Sequence, residues 1–233
     1  MKAFLLAAGL GTRLRPLTDH TPKCLVEVGG RTLLDIWLDA LAGVGVDEVL
    51  VNTHHLAGQV EDHVARRTSG PRVHLVHEPE LRGSAGTLVA NADFVAGEDL
   101  FLAVNADNLT DFDLGVLVKA HRDGGRPATL SVFRTGRPTE CGIVEVQDGL
   151  VVGFEEKPPH PRSDLANAGL YAFAPAVIDL VEGDDVRDIG FHLLPRLVGR
   201  AGAVSIGDAF FLDIGTPEAL ERATLEWKGE GRT

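Results

Sequence analysis

The chain has 233 residues, 44% of them hydrophobic, which suffices for one substantial core within the size range of a single α/β domain. The formal net charge of −12 at pH 7 argues against a nucleic-acid partner, because a phosphate backbone is bound by a basic surface. No apolar run reaches the ~18–20 residues of a membrane span, the N-terminus has no signal-peptide pattern, and two cysteines make no disulfide framework. We therefore expect a cytoplasmic protein without a membrane partner.

Apolar strands alternate with amphipathic helices in the first half of the chain. For example, the apolar residues at positions 33, 34, 37, 38 and 41 have the spacing of an amphipathic helix. This alternation predicts an α/β fold with a mostly parallel central sheet and helices on both faces. The predicted strands are Ala3–Leu6, Glu48–Asn52, Arg72–His77, Leu100–Val104 and Ala128–Phe133. The predicted helices are Leu33–Leu41, Leu56–Arg67, Gly86–Ala92 and Leu114–His121.

The pattern changes after Arg134. A hairpin around Asp148-Gly149 and a further apolar run predict a small antiparallel addition at the carboxyl edge of the first sheet. The closing helix begins at Pro217, with Thr216 as its N-cap. The predicted strands of this half are Gly142–Val146, Leu150–Phe154, Asn167–Phe173, Val204–Ile206 and Phe210–Ile214. Its predicted helices are Pro175–Val181, Phe191–Val198 and Pro217–Trp227.

A glycine-containing loop directly follows the first strand. Glycines at 9 and 11 let backbone N–H groups approach phosphate oxygens, and Arg13 and Lys23 add positive charge, so the segment predicts a polyphosphate site. The loop is not the dinucleotide-binding fingerprint, because Leu14 stands where that pattern needs its third glycine. It is not a Walker A loop either, because no Gly-Lys-Ser/Thr follows.

The joint pattern Gly9-Leu10-Gly11-Thr12-Arg13-Leu14, Pro16-Leu17-Thr18 and Pro22-Lys23 resembles the signature of the sugar-1-phosphate nucleotidyltransferases. These enzymes make a nucleoside-diphosphate sugar and pyrophosphate from an NTP and a sugar 1-phosphate. The resemblance implies a Rossmann-like nucleotidyltransferase core with a small antiparallel insertion that binds substrate. Many members carry an additional C-terminal β-helix domain. Because this chain ends before one, we expect a single domain over residues 1–233.

Two aspartates stand at predicted strand ends. Asp107 follows an apolar strand directly, which is where ligands of open α/β sheets collect, and Asp213 lies in an Asp-Ile-Gly-Thr-Pro-Glu segment. Transfer between two anions needs cations, and Mg²⁺ is commonly held by one or two carboxylates together with substrate phosphates. In the family, matching aspartates hold the metal, so the resemblance implies a Mg²⁺ site at Asp107 and Asp213. The alternative for each is an ordinary turn or N-cap aspartate.

The resemblance also assigns the substrate pockets. Lys157 matches the lysine that contacts the sugar phosphate, and Glu156, Gly142 and Asn167 match positions of the sugar pocket. Residues 81–87 resemble the loop that reads the nucleobase, although Ser84 also fits a plain helix N-cap. The predicted catalytic residues are Arg13, Lys23, Asp107, Lys157 and Asp213. The predicted nucleotide-binding residues are Leu6, Ala7, Ala8, Gly9, Gly11, Thr12, Arg13, Ser84, Ala85, Gly86, Thr87 and Asp107.

The short chain and its base-reading loop most resemble guanylyltransferases that act on mannose 1-phosphate or a heptose 1-phosphate, so GTP is favoured. Three alternatives stay open: a uridylyl- or thymidylyltransferase for a hexose or amino-sugar 1-phosphate, a cytidylyltransferase for a non-sugar phosphate, and a regulatory protein that binds a nucleotide sugar without catalysis. The presence of all five predicted catalytic residues favours an enzyme. The expected partners are an NTP and a sugar 1-phosphate, and the sequence leaves assembly into a homo-oligomer open.

Overall fold

A nine-stranded mixed sheet forms the centre of the molecule in the computed structural model, which describes residues 1–182 and 187–229. The strands of this sheet and of two small two-stranded sheets are β1 (Lys2–Leu6), β2 (Glu27–Val28), β3 (Arg31–Thr32), β4 (Glu48–Thr53), β5 (Arg72–His77), β6 (Phe101–Asn105), β7 (Asn108–Thr110), β8 (Ala128–Arg134), β9 (Gly142–Gln147), β10 (Leu150–Glu156), β11 (Leu165–Phe173), β12 (Gly202–Ser205) and β13 (Phe211–Asp213). The α-helices are α1 (Leu33–Gly43), α2 (Ala57–Ala65), α3 (Ser84–Ala90), α4 (Leu114–Gly124), α5 (Leu194–Leu197) and α6 (Pro217–Glu226).

The strand order of the large sheet is β5-β4-β1-β6-β11-β8-β12-β10-β9. Strands β5, β4, β1 and β6 are mutually parallel, whereas β11 lies antiparallel between β6 and β8. Strand β12 is parallel to β8, and the hairpin β9–β10 continues the same sheet through the pairs Leu150–Gly202 and Ala166–Ile143. The predicted α/β class is confirmed. The predicted antiparallel hairpin is observed, and it is part of the central sheet because β10 pairs with β12 and β9 pairs with β11.

Helices cover both faces of the sheet, as predicted. Strand β1 shows why, since Ala3 and Leu5 belong to one hydrophobic core and Phe4 to the other. A strand buried on both faces reads as a continuous apolar run. Helices α1, α2 and α4 pack on the first face. The second face is covered by α3, α5, a 3₁₀ helix at Pro175–Leu180 and a π-helical turn at Ile189–Leu193.

A third, smaller core holds the carboxyl edge of the sheet together. Leu14, from the loop after β1, packs there with Leu109 of β7, Ile214 after β13 and Ala223 of α6. Of the strand pair β7–β13, the sequence predicted only the second strand, at Phe210–Ile214, because β7 with its three residues is too short to show an apolar pattern. Among the described residues, no helix is long and apolar enough to cross a membrane.

Candidate functional site

The loop after β1, residues 7–15 and here called the signature loop, is anchored to the ends of both neighbouring strands. The Leu6 carbonyl accepts a hydrogen bond from Ala106 N at 3.0 Å, just beyond β6. Ala7 N donates to Asn52 Oδ1 at 2.7 Å, at the end of β4. The loop therefore begins at the carboxyl end of three adjacent parallel strands, where open α/β sheets bind ligands.

The middle of the signature loop packs against the protein on one side and is exposed to solvent on the other. Gly11 has φ +62°, and a Cβ there would come within 2.8 Å of Thr18 Cγ2, while Thr18 Oγ1 donates to the Gly11 carbonyl at 2.8 Å. Leu14 is buried as an anchor, whereas Gly9 would carry a Cβ into empty space. Arg13 is two-thirds exposed (67%), so an anion can reach its guanidinium from solvent. Of the other predicted loop residues, Ala8 is buried and Thr12 is exposed.

Four of the five predicted catalytic residues meet in one cluster. Lys23 Nζ donates to Asp107 Oδ2 at 2.6 Å and lies 3.7 Å from Asp213 Oδ1. Arg13 Nη2 lies 3.7 Å from the other oxygen of Asp213. The Lys23 side chain is 9% exposed, so its ammonium is held between the two carboxylates by the surrounding chain. The cluster thus joins the signature loop to the strand ends that carry Asp107 and Asp213.

Backbone pairing fixes the spacing of the two carboxylates. Asp213 is paired with Asn108 in the β7–β13 ladder, and Ile214 N donates to the Asp107 carbonyl at 2.8 Å. Asn108 is itself locked, because its amide donates to the Ala168 carbonyl at 2.8 Å. Two aspartates more than a hundred residues apart in sequence are therefore held by main-chain bonds, not by flexible side chains.

Asp213 is the electrostatically unfavourable member of the cluster. Burial raises its pKa above the usual range, and the negative charge of Asp107 raises it further, while Lys23 and Arg13 act in the opposite direction. A carboxylate pair that repels itself is an arrangement that a bound cation would relieve. Two carboxylates at a strand end would suit a magnesium ion whose remaining ligands come from substrate phosphates. No group of three metal-ligating side chains occurs within residues 1–182 and 187–229.

The predicted base-reading residues form the turn into α3, and another segment contacts them. We call residues 81–87 the base loop and residues 187–190 the bridging segment. Ala85 N and Gly86 N both donate to the Arg187 carbonyl, at 2.8 and 3.0 Å, and Ser84 Oγ donates to Asp188 Oδ1 at 3.2 Å. A Cβ on Gly83, which has φ +73°, would come within 2.5 Å of the Arg187 carbonyl oxygen. The base loop is therefore held in place by the bridging segment.

Thr87, also predicted to bind nucleotide, is fully buried. Its hydroxyl donates to Glu78 Oε1 at 2.6 Å and accepts from Asn52 Nδ2 at 2.9 Å. The side chain is therefore committed to internal contacts and does not face the loop surface. The sequence motif could not show which way the Thr87 side chain points.

The predicted sugar-pocket residues gather on β9, β10 and β11. A Cβ on Gly142 would come within 2.6 Å of Glu156 Oε2, so this glycine makes room for the carboxylate. Asn167 has both ends of its amide engaged within the protein, since it donates to the Tyr171 hydroxyl at 2.7 Å and accepts from Gly169 N at 3.1 Å. It stabilises the irregularity of β11 between Asn167 and Tyr171.

Lys157 lies at the exposed end of β10. Its φ of +48° is uncommon for a residue with a side chain, and Lys157 N donates to the Cys141 carbonyl at 3.0 Å. Burial raises the pKa of the Cys141 thiol, a hydrogen bond with Thr135 acts in the opposite direction, and the charges of Glu140, Glu156 and Asp213 raise it further.

Glu156→Gln is expected to stabilise the protein at neutral pH. Burial raises the pKa of Glu156, and the Asp188 charge raises it further, while Lys157 opposes them. The ionised group therefore disfavours folding once the pH exceeds the folded pKa, and this penalty is absent below the unfolded value of about 4.3. We expect the variant to have a higher Tm at pH 7, by roughly 2–4 °C for each kcal/mol relieved, and a difference that vanishes near pH 4. Glu155→Gln, on an exposed neighbour, is the control. An unchanged Tm at pH 7, or a gap that widens in acid, would contradict the assignment.

Three site residues were missed by the sequence analysis. Asn52 ends the buried strand β4, Glu78 follows β5 and is 1% exposed, and Asp188 belongs to the bridging segment. The only sequence signal was an amide at the end of an otherwise apolar strand, where an unpaired polar group is unfavourable. Nothing in the composition distinguishes Glu78 or Asp188 from the other members of a set of 34 acidic residues.

Comparison with known sequences gives a consistent set of relatives. The sequence profile described as nucleotidyl transferase matches residues 2–229. Mannose-1-phosphate guanylyltransferase catalytic subunit beta of Xenopus tropicalis is 32% identical over 225 residues, which cover 94% of this chain and 62% of the relative. The subunit of the same name from Drosophila melanogaster is 33% identical over 222 residues, 93% of this chain and 60% of the relative. The chain thus spans about three fifths of the length of these relatives.

Solved structures share the fold. HddC from Yersinia pseudotuberculosis superposes with a TM-score of 0.81 at 23% identity, covering 97% of this chain and 99% of the other. A Bacillus anthracis protein, provisionally assigned as a glucose-1-phosphate thymidylyltransferase and crystallised with sucrose, has a TM-score of 0.82 at 22% identity, covering 97% and 94%. At these identities the likeness concerns the fold alone.

Proposed function

Because the chain belongs to the nucleotidyl transferase family, we propose that it transfers a nucleotidyl group from an NTP to a sugar 1-phosphate and releases pyrophosphate. The observation that carries the proposal is the cluster of Arg13, Lys23, Asp107 and Asp213, which brings two cations and two carboxylates together beside the signature loop. We further propose GTP and mannose 1-phosphate as the preferred pair. Support for that pair comes from the relatives named mannose-1-phosphate guanylyltransferase, at about one third identity.

In the proposed reaction, a phosphate oxygen of the sugar 1-phosphate attacks the α-phosphorus of the NTP. A new phosphorus–oxygen bond forms as the bond between the α-phosphorus and the bridging oxygen to the β-phosphate breaks, and the electron pair leaves with pyrophosphate. Negative charge grows on the phosphoryl oxygens and on the leaving group, so preorganised cations are the main protein contribution. Arg13, exposed on the signature loop, would bind the β- and γ-phosphates, and Lys23 would offset charge near the α-phosphate.

Asp107 and Asp213 would hold a magnesium ion, since their oxygens are of the type that this ion prefers, and since burial and the charge of Asp107 both raise the pKa of Asp213. When bound, magnesium would supply additional positive charge at the substrate phosphates. On the acceptor side, Glu156 would accept hydrogen bonds from sugar hydroxyls, because a carboxylate accepts without donating. Lys157, exposed at the end of β10, would bind the phosphate of the sugar.

A pyrophosphate-release assay tests the proposal. We would combine GTP, UTP, dTTP, CTP and ATP in turn with mannose, glucose, N-acetylglucosamine and heptose 1-phosphates, with Mg²⁺ and with EDTA. The expected result is release with GTP and mannose 1-phosphate that EDTA abolishes and Asp107→Asn strongly reduces. Release with a different pair would keep the reaction class and replace the substrates. No release with any pair, from folded protein that binds a nucleotide sugar, would replace the enzyme by the regulatory alternative.

A further inference from the structure

A buried carboxylate outside the proposed catalytic cluster connects the two loops assigned to the nucleotide. Glu78 is 1% exposed, and both of its carboxylate oxygens are used. Oε1 accepts from Thr87 Oγ1 at 2.6 Å and from Asn52 Nδ2 at 3.1 Å, and Oε2 accepts from Arg82 N at 3.2 Å. Two of these donors, Arg82 and Thr87, belong to the base loop.

The third donor carries the connection to the signature loop. Asn52 Nδ2 donates to both Glu78 Oε1 and Thr87 Oγ1, so the amide oxygen must point the other way. In that orientation Oδ1 accepts from Ala7 N at 2.7 Å, at the first residue of the signature loop. A reversed amide would place an NH₂ group against the Ala7 N–H and leave the Glu78 carboxylate facing an oxygen.

We propose that Glu78 is a positioning residue that sets the signature loop and the base loop relative to each other, acting through Asn52 and Thr87. Because Glu78 is 1% exposed, we assign it a role through these neighbours and not through contact with substrate. Its role rests on the proposed function only in that the two loops are taken to bind one nucleotide between them. A carboxylate suits the position because three donors converge on it and it has no hydrogen to donate.

Glu78→Gln replaces one carboxylate oxygen by nitrogen with little change in size. We nevertheless expect it to disturb the two loops and weaken NTP binding. In Glu78→Gln the new NH₂ group faces at least one of the three donors. Asn52→Asp is the reciprocal change, because it keeps the acceptor for Ala7 N but turns the donor facing Glu78 into a second acceptor. Combining the two restores complementarity, since the glutamine amide can donate to the new aspartate.

The first measurement is steady-state kinetics of both single variants, the double variant and Glu80→Gln. Glu80 is exposed and two residues away, so its variant is the matched control. We expect each single variant to raise the KM for the NTP by about tenfold, with the KM for the sugar phosphate within about twofold of wild type. The double variant should recover most of the loss. Equal increases in both KM values, or a Glu78→Gln variant that behaves like Glu80→Gln, would overturn the inference.

A second measurement separates this inference from the proposed function. Hydrogen–deuterium exchange of the substrate-free protein reports directly on the two loops. Residues 7–15 and 81–87 should both exchange faster in the single variants and return towards wild type in the double variant, while α4 stays unchanged as an internal reference. Unchanged exchange in either loop would overturn the inference even if the enzyme is active. If wild type releases no pyrophosphate with any substrate pair, the proposed function fails while the exchange data still decide this one. Should Glu78→Gln not fold, Asn52→Asp carries the same comparison.

Discussion

Replacing Asp107 or Asp213 by asparagine is expected to lower turnover by a factor of about 10²–10³ in each case. Either change removes one of two negative charges that face Lys23 and, in the proposed reaction, hold the magnesium ion. Steady-state kcat at saturating Mg²⁺ measures the effect, with Asp99→Asn, on an exposed turn before β6, as the control for loss of a surface charge. Turnover of both variants near the wild-type value would refute the proposed metal site.

The two variants should differ in stability. Asp107 accepts the 2.6 Å hydrogen bond from Lys23, so its replacement weakens a native contact and should lower the Tm. Asp213 has a raised pKa from burial and from the Asp107 charge. Its ionised form therefore disfavours folding at neutral pH, and this penalty is absent below the unfolded value of about 3.9. Asp213→Asn should consequently raise the Tm at pH 7 and leave it unchanged near pH 3. Opposite signs of the two Tm shifts, together with a common loss of turnover, would separate catalytic from structural effects.

The outline of the fold could be predicted because the burial of a helix or strand places its apolar residues at a regular spacing in the sequence. The helix predicted at 33–41 is observed at Leu33–Gly43, and the strand predicted at 72–77 is observed without change. Strand β7 was not predicted, and β13 was predicted at Phe210–Ile214 but without its partner. Strands of three residues are defined by their partner across the sheet, and one strand's sequence does not name that partner. For the same reason, the place of the β9–β10 hairpin within the large sheet was not predictable.

The residues of the candidate site also differ in how well the sequence predicts them. Arg13, Lys23, Asp107 and Asp213 belong to recognisable motifs, and the structure brings them together. The residues that hold those motifs carry no motif of their own. Asn52 and Asp188 contact segments that are remote along the chain, since Asn52 is 45 positions from Ala7 and Asp188 is 104 positions from Ser84. Residues proposed to contact substrate are thus easier to predict from one sequence than the residues that orient them, because only the former are required as particular residue types at fixed spacing.

Lys23→Met is expected to have the largest effect of any single substitution in the cluster. The methionine side chain fills similar space, but the ammonium shared by Asp107 and Asp213 is lost, and two carboxylates then face each other without their common cation. Turnover should fall by at least the factor of about 10²–10³ expected for a single lost charge contact. The acid limb of the pH–rate profile should shift to higher pH, because the charge of Lys23 no longer lowers the pKa of Asp213. Lys119→Met, on an exposed lysine paired with Asp123 in the same helix, controls for charge and helix effects. Added Mg²⁺ should raise the Tm of Lys23→Met more than that of wild type, because a divalent cation can replace the missing ammonium between the carboxylates. It should not restore turnover, because it cannot replace the contact proposed between Lys23 and the α-phosphate. A variant with near-normal turnover would show that Lys23 only neutralises the aspartates and takes no part in the transfer.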